Sequence, residues 1–467
     1  MKKFLIFASL MLVSLLVHAE LPATVLAALK NAGIPPQNVA VYVQAVESNS
    51  PILSHNADKS MNPASVMKLV TTNAALDLLT PNYRWKTEIY RDGALKNGVL
   101  DGNLIIKGYG DPSFKAQEFW RLLMSLQQAG IKEINGDLII DKSFFAKNVV
   151  ERHAFDDETW RAYNAEPSAF VVNGRNTSFK FIATETNVNV SQEFELPEVQ
   201  IINNMKLKYD DCGEWRSRLG YTVKMLEYKA IVTFSGTFSP DCEDRYVELS
   251  IFDDEKYAYY TFRKLWRELG GKFNGKLKLQ DMPTSASKVL VQVSDPLGYV
   301  IRDINKWSNN LMARQLLLTI AAEKNGAPAT ETKGVAAINA WLLGRGFNFS
   351  ELVVENGSGL SRIERISAEH LGRMLVSAYN SPVMPEFMAS LSILAQDGTV
   401  KKRLNDSQSN GRAHLKTGSL DGVSAIAGYE IDANNHRHVL VMLVNHTKAA
   451  ASKNAQDALI EWVHQQP

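Results

Sequence analysis

Ser65 and Lys68 form an S-x-x-K pair whose residue types could carry out nucleophilic catalysis. A serine hydroxyl is a poor nucleophile until a neighbouring base takes its proton, and a lysine held close by can be that base. Positions i and i+3 lie on one face of a helix, about 5–6 Å apart. The first turn of a helix also favours developing negative charge, because its backbone N–H groups are unpaired. The pair therefore predicts acyl transfer through a serine.

A second S-x-x-K match, Ser285 to Lys288, shows how little this spacing proves by itself. At average composition about one or two matches are expected by chance in a chain of this length. The second copy lies in a polar stretch, residues 283–287, that runs into a strand-like segment. Ser65 instead opens a helical pattern of apolar residues that extends to Leu79. We therefore interpret the second match as a coincidence.

Ser308-Asn309-Asn310 is an S-x-N match that would add a second hydroxyl and an amide to the site. S-x-N is a common pattern and occurs elsewhere in the chain, but this copy precedes a helical pattern over residues 309–322. Serine directly before a helix is typical of an N-cap. We expect Ser308 to cap this helix and to take part in catalysis.

Lys416-Thr417-Gly418 occurs once in the chain, whereas chance would give about 0.1 copies. The tripeptide lies in a strand-like segment, and a glycine there lets another backbone approach closely. The alternative interpretation is an exposed strand lysine followed by a turn. Its rarity favours a substrate-binding strand edge.

Other catalytic and metal-binding patterns are absent from the sequence. None of the 9 histidines lies in a recognisable Ser-His-Asp context, and there is no G-x-S-x-G elbow. There is also no H-E-x-x-H motif and no Cys/His cluster with metal-ligand spacing. The sequence therefore predicts an enzyme without a metal or another cofactor.

The N-terminus indicates export. Lys2 and Lys3 precede an apolar run over residues 4–17, and Val17-His18-Ala19 is a small-residue cleavage pattern. We predict a signal peptide over residues 1–19, cleaved after Ala19, and a periplasmic mature protein. A membrane anchor is the alternative, but the run is short for a span of about 20 residues. The formal charge of +1 gives no global basic field, so we expect no nucleic-acid partner.

Cys212 and Cys242 are the two cysteines of the chain. In an exported protein such a pair predicts a disulfide, with two free buried thiols as the alternative. Closing a loop of this length would stabilise the fold by about 3–4 kcal/mol in the chain-entropy model.

The pattern of elements predicts an α/β (α+β) chain with a catalytic domain that is interrupted once. Helices are predicted over residues 21–32, 65–79, 309–322, 329–344 and 368–379, and strands over residues 39–43, 425–431 and 438–445. Between them, alternating strand-like runs are separated by Asn-Gly and Asp-Gly turns. We assign residues 20–84 and 287–467 to the catalytic domain, and residues 85–286 to a β-rich insertion of one or two subdomains.

The three motifs, in this order, are the set known from β-lactamases and penicillin-binding proteins, with Asn309 where that set has aspartate. The sequence resembles the class C low-molecular-mass penicillin-binding proteins over nearly all of the mature chain. The segments that carry the resemblance are residues 63–72, 100–104, 108–112, 356–362 and 397–400. The resemblance implies a β-lactamase/transpeptidase-like fold, an antiparallel sheet flanked by helices. It also implies D-alanyl-D-alanine carboxypeptidase and endopeptidase activity on peptidoglycan stem peptides, with inhibition by β-lactams.

The resemblance also implies a role for each residue of the motifs. Ser65 would attack the carbonyl of the penultimate D-Ala, with Lys68 as its base. The other roles implied are a proton relay through Ser308, a hold on the substrate amide by Asn310, carboxylate binding by Lys416 and Thr417 beside Gly418, and an oxyanion hole from the N–H groups of Ser65 and Ser419. In the insertion, Asp157 is the candidate partner for the amine of a diaminopimelate side chain, with a solvated loop acid as the alternative.

The sequence leaves two other activities to be weighed. One is a β-lactamase or esterase on the same fold, and the other is a catalytically silent protein that binds the cell wall. The large insertion before Ser308 favours the peptidase class, and the complete set of polar side chains argues against a silent site. The balance of carboxypeptidase and endopeptidase activity and the oligomeric state stay open, with a homodimer among the alternatives.

Overall fold

The computed structural model describes residues 20–147 and 155–466 of the chain. The predicted signal peptide, residues 1–19, lies outside the described residues. In the part that is described, no helix is both long and apolar enough to cross a membrane.

The described residues form α-helices and β-strands, numbered here in chain order. The helices are α1 (Ala23–Ala32), α2 (Lys68–Leu79), α3 (Ala116–Gln128), α4 (Asp254–Glu268), α5 (Leu297–Lys306), α6 (Asn310–Asn325), α7 (Glu331–Gly344), α8 (Ala368–Tyr379), α9 (Met384–Ala389) and α10 (Lys453–His464). The strands are β1 (Val39–Ala45), β2 (Leu53–His55), β3 (Lys86–Lys96), β4 (Val99–Gly108), β5 (Glu133–Ile134), β6 (Leu138–Asp141), β7 (Thr177–Ala183), β8 (Val188–Gln192), β9 (Val199–Leu207), β10 (Leu219–Met225), β11 (Ala230–Phe238), β12 (Arg245–Leu249), β13 (Lys272–Phe273), β14 (Leu277–Leu279), β15 (Ser287–Val293), β16 (Ser392–Ile393), β17 (Ala413–Leu420), β18 (Val423–Ile431) and β19 (Arg437–Asn445).

A six-stranded antiparallel sheet, in the order β16-β17-β18-β19-β1-β2, forms the middle layer of the catalytic domain. Alternate residues of β1 face opposite sides of the sheet, as strand geometry requires. Val39, Val41 and Val43 pack with α1 and α10, whereas Ala40 and Tyr42 pack with α2 and α8. The predicted antiparallel sheet flanked by helices is confirmed.

Helix α2 lies at the centre of the catalytic domain. The sequence predicted one apolar stripe on this helix, but its polar residues Thr71 and Thr72 are fully buried as well. Each hydroxyl has a backbone acceptor: Thr71 donates to the Gly357 carbonyl at 2.7 Å, and Thr72 to the Lys68 carbonyl at 2.7 Å. Such internal acceptors remove the cost of burying a hydroxyl, so the helix is covered on all sides.

The insertion contains a seven-stranded sheet built on β3 and β4, and two three-stranded sheets, β10-β11-β9 and β12-β7-β8. One hydrophobic cluster joins them, with Phe179, Phe234 and Phe262 fully buried. The insertion also carries α3 and α4, which the strand-dominated prediction missed. In α3 the buried residues Phe119, Leu122, Leu123 and Leu126 have helical spacing, so the signal was present.

Strand β15 changes the boundary of the insertion. The sequence assigned residues from 287 onward to the catalytic domain, yet β15 pairs antiparallel with β3 of the insertion sheet. The apolar residues Val289 and Leu290 pack against the insertion core, which explains the pairing. The chain returns to the catalytic domain only after Val293, at the start of α5.

Cys212 and Cys242 form a disulfide inside the insertion, with their Cα atoms 4.7 Å apart. The predicted pairing is confirmed. The bond closes a loop between β9 and β12 and lies away from the three motifs in sequence.

Helix α6 of the catalytic domain packs against the insertion. Its Gln315 donates to the Gly110 carbonyl at 3.0 Å, and Phe145 and Ala169 of the insertion pack against its Leu318. Because Asn310 opens this helix, the insertion helps to hold one wall of the site.

Candidate active site

Ser65 lies on a short 3-10 helix, Ala64–Met67, that leads directly into α2. The sequence placed Ser65 in the first turn of the α-helix itself; the α-helix instead begins at Lys68. In a 3-10 helix residues i and i+3 are eclipsed, and Lys68 Nζ donates to Ser65 Oγ at 2.9 Å. The two side chains are therefore close, as predicted, but a 3-10 helix and not an α-helix brings them together.

Lys68 is fully buried and has three acceptors around its amino group. Besides Ser65, these are Asn310 Oδ1 at 2.6 Å and the Ser358 carbonyl oxygen. Burial lowers the pKa of Lys68 well below its usual value, the nearby charge of Lys416 lowers it further, and Glu364 opposes the shift. The uncharged amine, which can accept a proton, is therefore favoured relative to an exposed lysine.

Glu364 holds the loop that supplies the Ser358 carbonyl. The carboxylate is fully buried, and its Oε1 accepts the backbone N–H groups of residues 355, 356 and 357 at 3.0, 3.0 and 3.1 Å. Burial raises the pKa of Glu364, although these N–H groups act in the opposite direction. Residues 356–362 carry part of the family resemblance. No local sequence pattern marks Glu364, so its role was not predicted.

Ser308 and Lys416 form a second serine–lysine pair. Lys416 Nζ donates to Ser308 Oγ at 2.9 Å and to the Thr417 carbonyl at 2.6 Å. Lys416 is fully buried, and burial lowers its pKa to about 7. The two lysines thus lie near each other in one cleft, each bonded to its own serine.

The sequence predicted that Ser308 caps α6, and this prediction is wrong. The N-cap is Asn309, whose Oδ1 accepts the Met312 N–H at 3.0 Å. Ser308 has a φ of 57°, in the left-handed region that non-glycine residues rarely adopt. Its hydroxyl accepts from Lys416 Nζ, and the cap bond of α6 is made by Asn309 instead.

Strand β17 lies against the nucleophile segment, and Gly418 permits that approach. A Cβ atom at Gly418 would lie 2.6 Å from the Pro63 carbonyl oxygen and 2.9 Å from the Ser65 nitrogen. Any larger residue would therefore push the strand away from Ser65. Thr417 and Ser419, on either side, are half-buried and exposed, respectively, at the opening of the cleft.

Asp157 lies in a segment of the insertion that reaches the catalytic domain. Its neighbour Asp156 forms an ion pair with Arg362, whose Nη2 donates to both carboxylate oxygens at 2.8 and 2.9 Å. Arg362 Nη1 also donates at 2.8 Å to the carbonyl of Asp421, in the turn that follows β17. Asp157 itself is exposed, and its neighbour Asp156 is linked through Arg362 to the turn that follows β17.

The second S-x-x-K match lies on a different surface. Lys288 is on β15 of the insertion sheet and donates to Glu88 Oε1 at 2.8 Å. Among the described residues no group of three or more His, Cys, Asp and Glu side chains could hold a metal ion. The absence of a cofactor stays a prediction.

Residues 21–466 match the sequence profile of the D-Ala-D-Ala carboxypeptidase 3 (S13) family. The chain is 26% identical over 441 residues to D-alanyl-D-alanine carboxypeptidase DacB of Haemophilus influenzae, covering 91% of this chain and 89% of the relative. It is 25% identical over 402 residues to a D-alanyl-D-alanine carboxypeptidase of Actinomadura sp. strain R39, covering 83% and 74%.

Solved structures share the fold. Penicillin-binding protein 4 of Haemophilus influenzae superposes with a TM-score of 0.78 at 24% identity, covering 95% of this chain and 99% of that chain. A predatory peptidoglycan endopeptidase of Bdellovibrio bacteriovorus superposes with a TM-score of 0.53 at 16% identity, covering 91% and 90%.

Proposed function

Because this chain belongs to the D-Ala-D-Ala carboxypeptidase 3 (S13) family and is a serine D,D-peptidase, we propose that Ser65 is its nucleophile and Lys68 the activating base. The contact of Lys68 Nζ with Ser65 Oγ at 2.9 Å, where burial lowers the pKa of the lysine, carries this proposal. An uncharged Lys68 takes the hydroxyl proton as Ser65 Oγ attacks the carbonyl carbon of the penultimate D-Ala.

Backbone donors then stabilise the oxyanion. The N–H groups of Ser65 and Ser419 are the proposed pair, and the close approach of β17 at Gly418 supports this assignment. Loss of one donor of this kind typically costs about 3–4 kcal/mol of transition-state stabilisation.

The second serine–lysine pair handles the leaving group. Ser308 passes its proton to the amine of the departing terminal D-Ala as the C–N bond breaks, and Lys416, which is hydrogen-bonded to Ser308, replaces that proton. Water then attacks the ester on Ser65 and gives its proton back to the Ser308–Lys416 pair, while Lys68 returns its proton to Ser65 Oγ as the shortened peptide leaves. Asn310 holds Lys68 with its Oδ1, which leaves its Nδ2 to donate to the carbonyl of a substrate amide.

Substrate recognition uses the rim of the cleft. Lys416 and Thr417 bind the terminal carboxylate, which can accept several hydrogen bonds. Asp157 is the proposed partner of the diaminopimelate amine. Its exposure, next to an Asp156 that is already neutralised by Arg362, supports this choice between the two acids.

β-Lactams acylate Ser65 in this proposal, because they carry a reactive carbonyl and a carboxylate. A β-lactam is bound in the complexed form of Haemophilus influenzae penicillin-binding protein 4, which superposes on this chain with a TM-score of 0.74. An enzyme that acts on peptidoglycan is exported, so we also propose a periplasmic location after cleavage at Ala19, with residues 20–84 and the segment from α5 onward as the catalytic domain.

A fluorescent penicillin tests the assignment of the nucleophile. Wild-type protein should gain one covalent label and release D-Ala from a D-Ala-D-Ala peptide, and Ser65→Ala should lose both. Ser285→Ala is the matched control and should keep both. Labelling that survives in Ser65→Ala would overturn the assignment.

Mass spectrometry of digested muropeptides separates the two peptidase reactions. Release of D-Ala from uncrosslinked stems indicates carboxypeptidase activity, and loss of crosslinked dimers indicates endopeptidase activity. Asp157→Asn should lower turnover of diaminopimelate-containing stems several-fold and leave penicillin labelling unchanged.

A further inference from the structure

Thr399 places a second hydroxyl beside Thr417 at the opening of the cleft. It lies on the short 3-10 helix Gly398–Val400, and Thr417 Oγ1 donates to Thr399 Oγ1 at 2.8 Å. Thr399 is exposed and Thr417 is half-buried. The two hydroxyls thus form one polar surface that faces an incoming substrate.

The turn that carries Thr399 is fixed to the segment that carries Ser308. Asp397 accepts from Lys306 Nζ at 2.5 Å and from the Ile393 N–H at 2.8 Å, and the Lys306 side chain is only 7% exposed. Gly398 has a φ of +58°, and a Cβ atom there would lie 2.8 Å from the Lys306 carbonyl oxygen. Since Lys306 lies two residues before Ser308, the turn is a built wall of the site.

The hydroxyl pair is suited to bind an anion. Each hydroxyl has one proton to donate, and one of these two protons joins the pair. Whichever hydroxyl donates, the other proton is left to bond a third group. The amine of Lys416 already donates to Ser308 and to the Thr417 carbonyl, so it is only partly available to the substrate.

We propose that Thr399 is a substrate-binding residue, whose hydroxyl donates to the terminal carboxylate of the peptide together with Thr417. This inference rests on the proposed function, because it concerns the same cleft. When the carboxylate binds, the hydrogen bond between Thr417 and Thr399 breaks, and each hydroxyl then donates its proton to one of the two carboxylate oxygens. Asp397 and Lys306 are positioning residues in this account.

A pair of thioesters tests the proposal. One is an acyl-D-alanyl mercaptoacetate, which presents a carboxylate, and the other is the matched ethanethiol ester, which lacks it. Thr399→Val removes only the hydroxyl and should raise KM about tenfold for the mercaptoacetate, with kcat within about twofold, and leave the ethanethiol ester unchanged. Thr399→Ser should restore the wild-type KM. Equal effects on both esters, or an effect on neither, would overturn the proposal.

A double-mutant cycle separates direct binding from orientation of Thr417. If Thr399 contacts the carboxylate, Thr399→Val should raise KM further in a Thr417→Val background. No further change in that background would overturn the proposal. An error in the proposed function would give a different result: Ser65→Ala would still hydrolyse both esters.

Discussion

Lys68 lies in the cleft between α2 and β17, and Lys288 lies on the edge strand β15 of the insertion sheet; each follows a serine by three residues. Lys68 is fully buried and contacts its serine at 2.9 Å. The side chain of Lys288 is 48% exposed and is bonded to the Glu88 carboxylate. The same spacing thus places two lysines in opposite environments.

The two environments shift the two pKa values in opposite directions. Burial and the charge of Lys416 lower the pKa of Lys68, whereas the hydrogen bond to Glu88 raises that of Lys288. Around Lys68 the hydrogen-bond partners are neutral oxygens, which do not compensate for lost hydration as a carboxylate would. The proposed reactivity of the Ser65–Lys68 pair rests on a buried lysine without a directly bonded carboxylate, which the spacing alone does not provide.

Replacing each lysine by arginine should separate the two regions most strongly. Lys68→Arg keeps a positive charge that cannot be removed in a protein, so acylation by labelled penicillin should fall about 1000-fold. Lys288→Arg can still pair with Glu88 and should be acylated at the wild-type rate. Stopped-flow or gel-based labelling rates measure both; a Lys68→Arg rate within tenfold of wild type would contradict the comparison.

Removing a buried carboxylate from each region should give the next largest effect. Glu364→Ala leaves three N–H groups without their acceptor, so unfolding free energy should fall by about 3 kcal/mol. Acylation should slow about 100-fold as the Ser358 carbonyl moves. Chemical denaturation and labelling rates measure the two effects.

Two variants provide the controls for that change. Glu364→Gln keeps an oxygen acceptor and should be affected less than Glu364→Ala. Glu88→Gln, which removes the carboxylate that pairs with Lys288, should lower stability without slowing acylation. If Glu88→Gln slowed acylation as much as Glu364→Ala, the two regions would not be distinct.

A change in the pH dependence of acylation should be the smallest of these effects. Lys68 acts when uncharged, so acylation rises with pH and levels off well below pH 10.5, because the pKa of Lys68 is lowered. Below about pH 7 Lys416 is charged and holds the pKa of Lys68 down. Lys416→Met removes that charge, so the rising limb should move to higher pH.

The carboxylate-free ethanethiol ester is the substrate for this measurement, since binding of a carboxylate by Lys416 then does not enter. Lys288→Met is the control and should leave the profile in place. A limb that moved to lower pH in Lys416→Met would contradict the assigned cause of the shift.

Local patterns predicted the elements around the motifs, but not the contacts between distant segments. Ser65 lies on the short 3-10 helix that leads into α2 and Lys68 is the first residue of α2, so their proximity follows from their spacing. Ser358 contacts Lys68 across 290 residues, and no local signal marks such a pair. The same holds for Thr399, because its contact with Thr417 depends on how β17 packs beside the turn that carries Thr399.

Two local predictions failed because contacts with other segments decided between alternatives. Ser308 and Asn309 can each cap a helix, and the asparagine does so, which frees the serine for Lys416. Strand β15 was assigned to the catalytic domain by its position in the chain, whereas its apolar residues pack against the insertion core. In both cases tertiary contacts decide between alternatives that the sequence leaves open.

The most direct test identifies the residue that carries the acyl group. Protein treated with penicillin and quenched should be digested and mapped by tandem mass spectrometry. One adduct is expected, on the peptide that contains Ser65, and none on the peptide that contains Ser285. An adduct on any other residue, with Ser65 unmodified, would contradict it.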